Sequence, residues 1–207
     1  MSINLCKASL LAGALGDSMG ADIEFSGLRL IRRQYPNGVN SLATTYAPPN
    51  FFTDDTQMAL FTAEGLIMAI KANSLDSQVA VDKIMHSALL RWYCTQGGSP
   101  KIKTDTSKGL ILENSMWFSA SPGMTCMSSL REANILGQPA SNNSKGCGTI
   151  MRIAPLAFGL PRTNLRKYTI SSSALTNGHP LGQLAAAAWA EIIADCVAGH
   201  HPECAAR

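Results

Sequence analysis

Between Asp55 and Ala72 the chain is apolar nearly all round: Met58, Leu60, Phe61, Leu66, Ile67, Met68 and Ile70 leave no broad polar face. A helix of that kind is stable only when buried, so this segment demands a fold in which other helices surround it. The rest of the sequence supplies them. Ile3, Cys6, Leu10, Ala14 and Leu15 recur at helical spacing from Ile3 to Met19, and Gly20 is placed to end that helix. Ala8, Ala12, Gly13 and Gly16 on the same segment would let a neighbouring helix come close. Val81, Ile84, Ala88 and Trp92 share one face of a helix predicted over about 77–93, after which Gly97-Gly98-Ser99-Pro100 breaks the chain. Shorter helices are predicted at 107–118 and 128–136, a loop from Gly137 to Gly148, and helices at about 164–176 and 181–198. Strand alternation is nearly absent, with no internal repeat and no low-complexity linker. The expected architecture is all-α: a compact multi-helix orthogonal bundle, forming one domain over residues 1–207, with functional loops between helices.

Composition narrows the function. Hydrophobic residues make up 46% of the 207 and charged residues 15%, the balance of a packed domain rather than a disordered chain. The net charge of +3, the absence of a lysine or arginine run and the sparse aromatics argue against a nucleic-acid groove. Six scattered cysteines (Cys6, Cys94, Cys126, Cys147, Cys196 and Cys204) form no C-x-x-C pair, which argues against a zinc site or a redox pair. Buried thiols in a reducing cytoplasm are the expectation. The N-terminus lacks the pattern of a secretory leader, and no apolar stretch reaches membrane-spanning length.

Four segments carry chemistry. Phe51-Phe52-Thr53-Asp54-Asp55-Thr56-Gln57-Met58 follows Pro48-Pro49 and places two carboxylates and two hydroxyls at the start of the central helix. Thr and Asp are good helix N-caps, and carboxylates favour the positive end of the helix dipole. The same hard oxygens suit Mg²⁺ or Mn²⁺ better than zinc, and the two roles are compatible. The segment Gly13–Phe25 puts Asp17, Asp22 and Glu24 at a glycine-rich helix end, either as solvated acids or with Glu24 in a cleft near whatever Asp54 and Asp55 bind. In Ser144–Pro155, glycines would let backbone N–H groups approach an anion, although an ordinary loop-to-helix turn reads the same way. It is not a Walker sequence, because Lys145 precedes the glycines. In Ala174–Pro180, His179 sits at a turn, where it is either structural or placed to touch a ligand hydroxyl or phosphate.

Taken in order, G-x-x-x-G-D-x-x-G-x-x-x-E-F, F-T-D-D-T-x-M, S-K-G-C-G-x-x-M-R-x-A-P and L-T-x-G-H-P resemble the ADP-ribosylglycohydrolase family, over about residues 5–198. That family includes the dinitrogenase reductase-activating glycohydrolase and the ADP-ribosylarginine hydrolases. The resemblance implies an all-α fold with a loop-lined cleft for ADP-ribose and two Mg²⁺ or Mn²⁺ ions. It implies hydrolysis of the bond between C1″ of ADP-ribose and a protein side chain, often arginine. Thr53, Asp54 and Asp55 match metal ligands, and Glu24 matches an acidic position near the ribose and its water. Catalysis would then rest on Glu24, Asp54 and Asp55. Gly146, Cys147, Gly148 and Thr149 match the loop that holds the diphosphate. Asn177 and His179 fall in the last motif, as further substrate-binding positions, and Arg152 reads as a structural anchor.

Two departures qualify the resemblance. Relatives carry a late Asp-x-Asp-Thr segment that supplies the other half of the metal site, and this chain has none, so a domain shortened at its C-terminus is expected. Asn177 stands where many relatives have His, and it cannot titrate. The alternative reading is a non-catalytic or weakly catalytic binding or immunity protein of the same fold. It would neutralise an ADP-ribosyltransferase toxin or bind the toxin's target. The partners expected are ADP-ribose and an ADP-ribosylated protein, and neither nucleic acid nor a membrane.

Overall fold

The structure is a computed structural model that describes residues 3–40 and 51–206. The Pro48-Pro49 loop lies outside the described residues. Every regular element within them is helical: α1 (Ile3–Gly20), α2 (Leu28–Gln34), α3 (Asp54–Lys71), α4 (Gln78–Thr95), α5 (Met124–Glu132), α6 (Ala154–Gly159), α7 (Arg162–Ala174), α8 (Pro180–Val197) and α9 (Pro202–Ala205). The all-α expectation holds. None of these helices is long and apolar enough to cross a membrane.

The apolar helix is central, as its composition requires, although Ile67 and Ile70 near its end are exposed. α3 packs chiefly on α4 and also on α6 and α1, while α7 packs on α8. One core cluster joins Phe61 of α3, Trp92 of α4, Leu130 of α5, Leu156 of α6, Leu165 of α7 and Ala186 of α8. The α3–α4 contact is close because α3 offers Gly65. A Cβ there would stand 2.8 Å from the Met85 sulfur and 3.2 Å from the Ala88 methyl. Deeper along the same pair, Glu64 of α3 meets Arg91 of α4. Its Oε1 accepts from Arg91 Nε at 2.6 Å and contacts Nη2, and its Oε2 accepts the Leu110 amide at 2.5 Å.

Three expectations change. The predicted helix at 107–118 is a pair of 3₁₀ turns, Leu110–Leu112 and Asn114–Met116, with Glu113 extended between them. Gly109 precedes them at φ +83°, and its Cα lies so close to Glu64 that a Cβ would sit 2.4 Å from Oε2. The chain here is bent to serve the buried acid and does not propagate a helix. The helix predicted at 128–136 starts earlier, as α5, and stops when Ala133 turns extended. The small residues of α1 do not receive a neighbouring helix: a Cβ at Gly13, Gly16 or Gly20 meets nothing within 4 Å among the described residues. That side of α1 borders a cleft.

Candidate active site

The cleft has a volume of about 470 Å³ and lies between α1, the start of α3 and the turn that leads into α6. Asp17, Glu24, Thr53, Asp55 and Thr56 line its acidic part, and Cys147 and Met151 face it from the opposite loop.

Its frame is a clamp between α1 and α3. Asp17, near the end of α1, accepts four hydrogen bonds from the first turn of α3. The Thr53 amide (2.8 Å), the Thr56 amide (3.2 Å) and the Thr56 hydroxyl (2.5 Å) reach Oδ2, and the Thr53 hydroxyl (2.6 Å) reaches Oδ1. The first N–H groups of a helix have no partner inside it, so a carboxylate from another helix satisfies them and favours the dipole as well. Thr53 Oγ1 also accepts the Asp55 amide at 3.3 Å, which makes it a cap in its own right. The sequence reading gave Asp17 no specific role. The legible signal was two hydroxyls, Thr53 and Thr56, placed to donate to an acid from elsewhere.

Asp54 and Asp55 point to different surroundings. Asp54 is buried, its amide donates to the Ala120 carbonyl at 3.1 Å, and its Oδ2 accepts the Gly123 amide at 2.9 Å, so it also fixes the start of α5. Asp55 is half-buried, lines the cleft, and its carboxylate accepts no hydrogen bond among the described residues. Burial, only partly offset by the Gly123 amide, lifts the Asp54 carboxyl to about 6, with Glu24 and Asp17 adding to the rise. Burial followed by the charges of Asp54, Asp17 and Glu24 lifts Asp55 to about 7. Glu24 is raised too, by burial and then by Asp17. Among the described residues no cation offsets any of these three carboxylates.

The loop opposite is held rigidly from behind. Arg152 is fully buried and donates to the Gly148 carbonyl (3.1 Å), to Ser172 Oγ (3.1 Å) and carbonyl (2.8 Å), and to Thr176 Oγ1 (3.3 Å). Asn177, also fully buried, donates to Ser144 Oγ and the Gly146 carbonyl. His179 Nδ1 accepts the Leu181 amide and caps α8, while the His179 amide donates to the Ser144 carbonyl. Of Gly146, Cys147, Gly148, Thr149, Asn177 and His179, only Cys147 lines the cleft; Asn177 and His179 fix its loop from behind. Thr149 is buried, with its hydroxyl on the Gly182 carbonyl. The Gly146 amide is occupied by Ser144 Oγ at 3.2 Å. The amides of Cys147 and Gly148 open a 3₁₀ turn ahead of its first internal bond and have no acceptor elsewhere among the described residues, whereas Thr149 is fully buried. Gly148 is needed for space: a Cβ would stand 2.6 Å from the buried Cys126 sulfur. Burial and the Asp55 charge raise the Cys147 thiol, so it is a neutral group and not a thiolate nucleophile.

The donor set decides what the acidic side could hold. Asp55 contributes two free carboxylate oxygens, Asp54 one, and Thr53 Oγ1 has a lone pair left after its two hydrogen bonds. These are hard oxygen donors carrying unneutralised negative charge, and they fit a divalent ion of the Mg²⁺ or Mn²⁺ type that retains several waters. Among the described residues no three Asp, Glu, His or Cys side chains form a ready-made metal cage. The residues therefore fit one side of such a site.

An all-helical fold and an acidic cleft headed by Thr53-Asp54-Asp55, faced by a glycine loop, are what the site presents. The family model described as ADP-ribosylglycohydrolase matches residues 3–206. The chain belongs to the ADP-ribosylglycohydrolase family, whose substrates carry ADP-ribose and whose members generally depend on divalent metal. No curated protein and no solved structure matches it.

Proposed function

We propose that the protein is a metal-dependent hydrolase that removes ADP-ribose from modified protein side chains, with arginine as the acceptor, by cleaving the N-glycosidic bond at C1″. The observation that carries this reading is Asp55, a cleft carboxylate without a hydrogen bond and pushed up to about 7 by burial and neighbouring acids. A carboxylate kept in that state suits a site where positive charge is to be bound or developed.

Thr53, Asp54 and Asp55 would hold Mg²⁺ or Mn²⁺. Such an ion, when bound, orients oxygens and makes a coordinated water more acidic. The chain's own groups do the rest. Breaking the glycosidic bond builds positive charge on the ribose, and Asp55 and Glu24 supply the opposing negative field. Glu24, at the mouth of the cleft with a raised pKa, positions the attacking water and takes its proton as the C1″–O bond forms, while the departing guanidine nitrogen keeps the electron pair of the broken C1″–N bond and takes a proton from solvent. The free amides of Cys147 and Gly148 receive the diphosphate, and Arg152, Asn177 and His179 keep that turn in place. An acidic cleft also favours a cationic leaving group, which supports arginine over a neutral acceptor.

The test is release of ADP-ribose from an ADP-ribosylarginine peptide and from an ADP-ribosylserine peptide, with Mg²⁺ or Mn²⁺ and with EDTA. Metal-dependent release from the arginine peptide is expected. No release from either peptide with metal present would refute the reading.

A further inference from the structure

α2 carries a cluster of positive charge that the reaction above does not use. Arg29, Arg32 and Arg33 stand at i, i+3 and i+4, on one face of the helix, and all three are exposed. None joins an ion pair among the described residues. The stretch 41–50, Ser-Leu-Ala-Thr-Thr-Tyr-Ala-Pro-Pro-Asn, contains no acidic residue that could neutralise them.

The position of α2 gives the cluster its meaning. Glu24 lines the cleft, and α2 starts four residues later. Just past its other end, the Tyr35 hydroxyl donates to Asp22 Oδ2 at 3.2 Å, next to the lining residue Ala21. Both ends of the helix are thus tied to the rim. Between cleft and helix stands Phe25, 79% exposed and the most exposed of the large hydrophobic side chains described. The guanidiniums are not consumed by the cleft either, because Glu24, Asp54 and Asp55 are each raised by burial and by other carboxylates, with no arginine of α2 lowering them.

We propose that α2 and Phe25 form a docking surface for the protein that bears the ADP-ribose, and that this partner presents acidic residues beside the modified side chain. This rests on the hydrolase reading for the identity of the partner. Arginines and an aromatic are the side chains enriched where proteins bind one another, and three like charges on one face select a surface of opposite sign. A polyanion such as nucleic acid or an anionic membrane is disfavoured. Three arginines on one short helix, in a chain of net charge +3, fall short of the basic stripe or the cluster of roughly four to eight cations that such polyanions call for.

The experiment uses two synthetic peptides, each with one ADP-ribosylarginine, flanked by Glu in one and by Gln in the other. Binding is read by fluorescence anisotropy and cleavage by kcat/KM. The parent is expected to prefer the Glu peptide by roughly tenfold at low salt, the preference fading as salt is raised. Arg29→Gln/Arg32→Gln/Arg33→Gln should erase the preference. Its thermal melt and its turnover of free ADP-ribosylarginine should match the parent's. Equal affinity of the parent for both peptides, or an undiminished preference in the triple variant, overturns the proposal. Arginine-dependent binding to phosphatidylserine-containing vesicles or to single-stranded RNA, without peptide discrimination, also overturns it. A Glu preference in binding with no cleavage of either peptide or of free ADP-ribosylarginine would leave the docking surface standing and remove the hydrolase reading instead.

Discussion

α3 carries acids in two regions and treats them in opposite ways. Ten residues from its start, Glu64 is buried with Arg91 against one oxygen and the Leu110 amide against the other, and the backbone at Gly109 is shaped to fit it. At the start, Asp54 and Asp55 share a crowded acidic corner with Glu24 and Asp17. Asp54 has one amide for company and Asp55 has none. Burying a charge is costly unless it is paired and hydrogen-bonded. Glu64 meets that condition and is a structural group. Asp55 does not, so the fold carries it at a cost, which is the usual condition of a residue kept for chemistry. Asp17 lies between the two cases. It belongs to the acidic corner, yet its four hydrogen bonds make it part of the frame.

If that contrast is right, the largest loss of stability comes from the paired acid. Glu64→Ala leaves Arg91 buried without its carboxylate, with only the Met68 sulfur to accept from it, and should cost about 3–5 kcal/mol. Urea unfolding at neutral pH measures it, and a loss below about 1 kcal/mol would abolish the distinction between the two regions.

The next effect depends on pH and concerns His86, a buried group on α4. Its Nδ1 accepts the Gly137 amide at 3.0 Å, its Nε2 has no partner among the described residues, and burial, then Arg152, lowers it to about 4. The unfolded chain takes up this proton near pH 6.5, before the folded chain does. Stability from His86 is therefore full above pH 6.5 and falls as the pH drops towards 4, by up to about 3 kcal/mol. The raised carboxyls of Asp54 and Asp55 act with the opposite sign, contributing stability as the pH falls through their folded values. The His86 contribution is thus read as the difference between the parent and His86→Gln, which should lack the slope.

A smaller effect is expected at the clamp. Asp17→Ala removes the acceptor of four hydrogen bonds from the first turn of α3 and should cost about 2 kcal/mol, the scale of a lost cap with charge-assisted bonds. Asp17→Asn, which keeps one acceptor oxygen, should cost less. Equal denaturation midpoints for Asp17→Ala and the parent would show that the clamp does not hold α3.

Much of this was legible in the sequence, for definite reasons. α1, α3, α4, α7 and α8 have long apolar periods, and their ends fall within about two residues of those expected. α2 was not foreseen, because seven residues, Leu-Arg-Leu-Ile-Arg-Arg-Gln, are too short a period to separate from a turn. The 107–118 segment looked helical because the demand that Glu64 makes on Gly109 and Leu110 is a tertiary fact absent from the local sequence. At the site, the sequence pointed to Thr53, Asp54, Asp55 and Glu24, and the structure gathers these residues around one acidic corner. It could not tell Asp54, turned to Gly123, from Asp55, turned to the cleft. Nor could it show that Asn177 and His179 hold the loop from behind, since that depends on which side of residues 144–149 faces the cleft.

The central claim is that charge left uncompensated at the start of α3 serves reaction and not folding. Asp55→Asn tests it most directly, by measuring ADP-ribose release with Mg²⁺ or Mn²⁺ beside a thermal melt in EDTA on the same preparation. Release should fall by about 100-fold or more, while the melting temperature stays level or rises because a repelled, half-buried charge has been removed. Parent-level release by Asp55→Asn, or a drop in melting temperature as large as that of Glu64→Ala, would contradict the account.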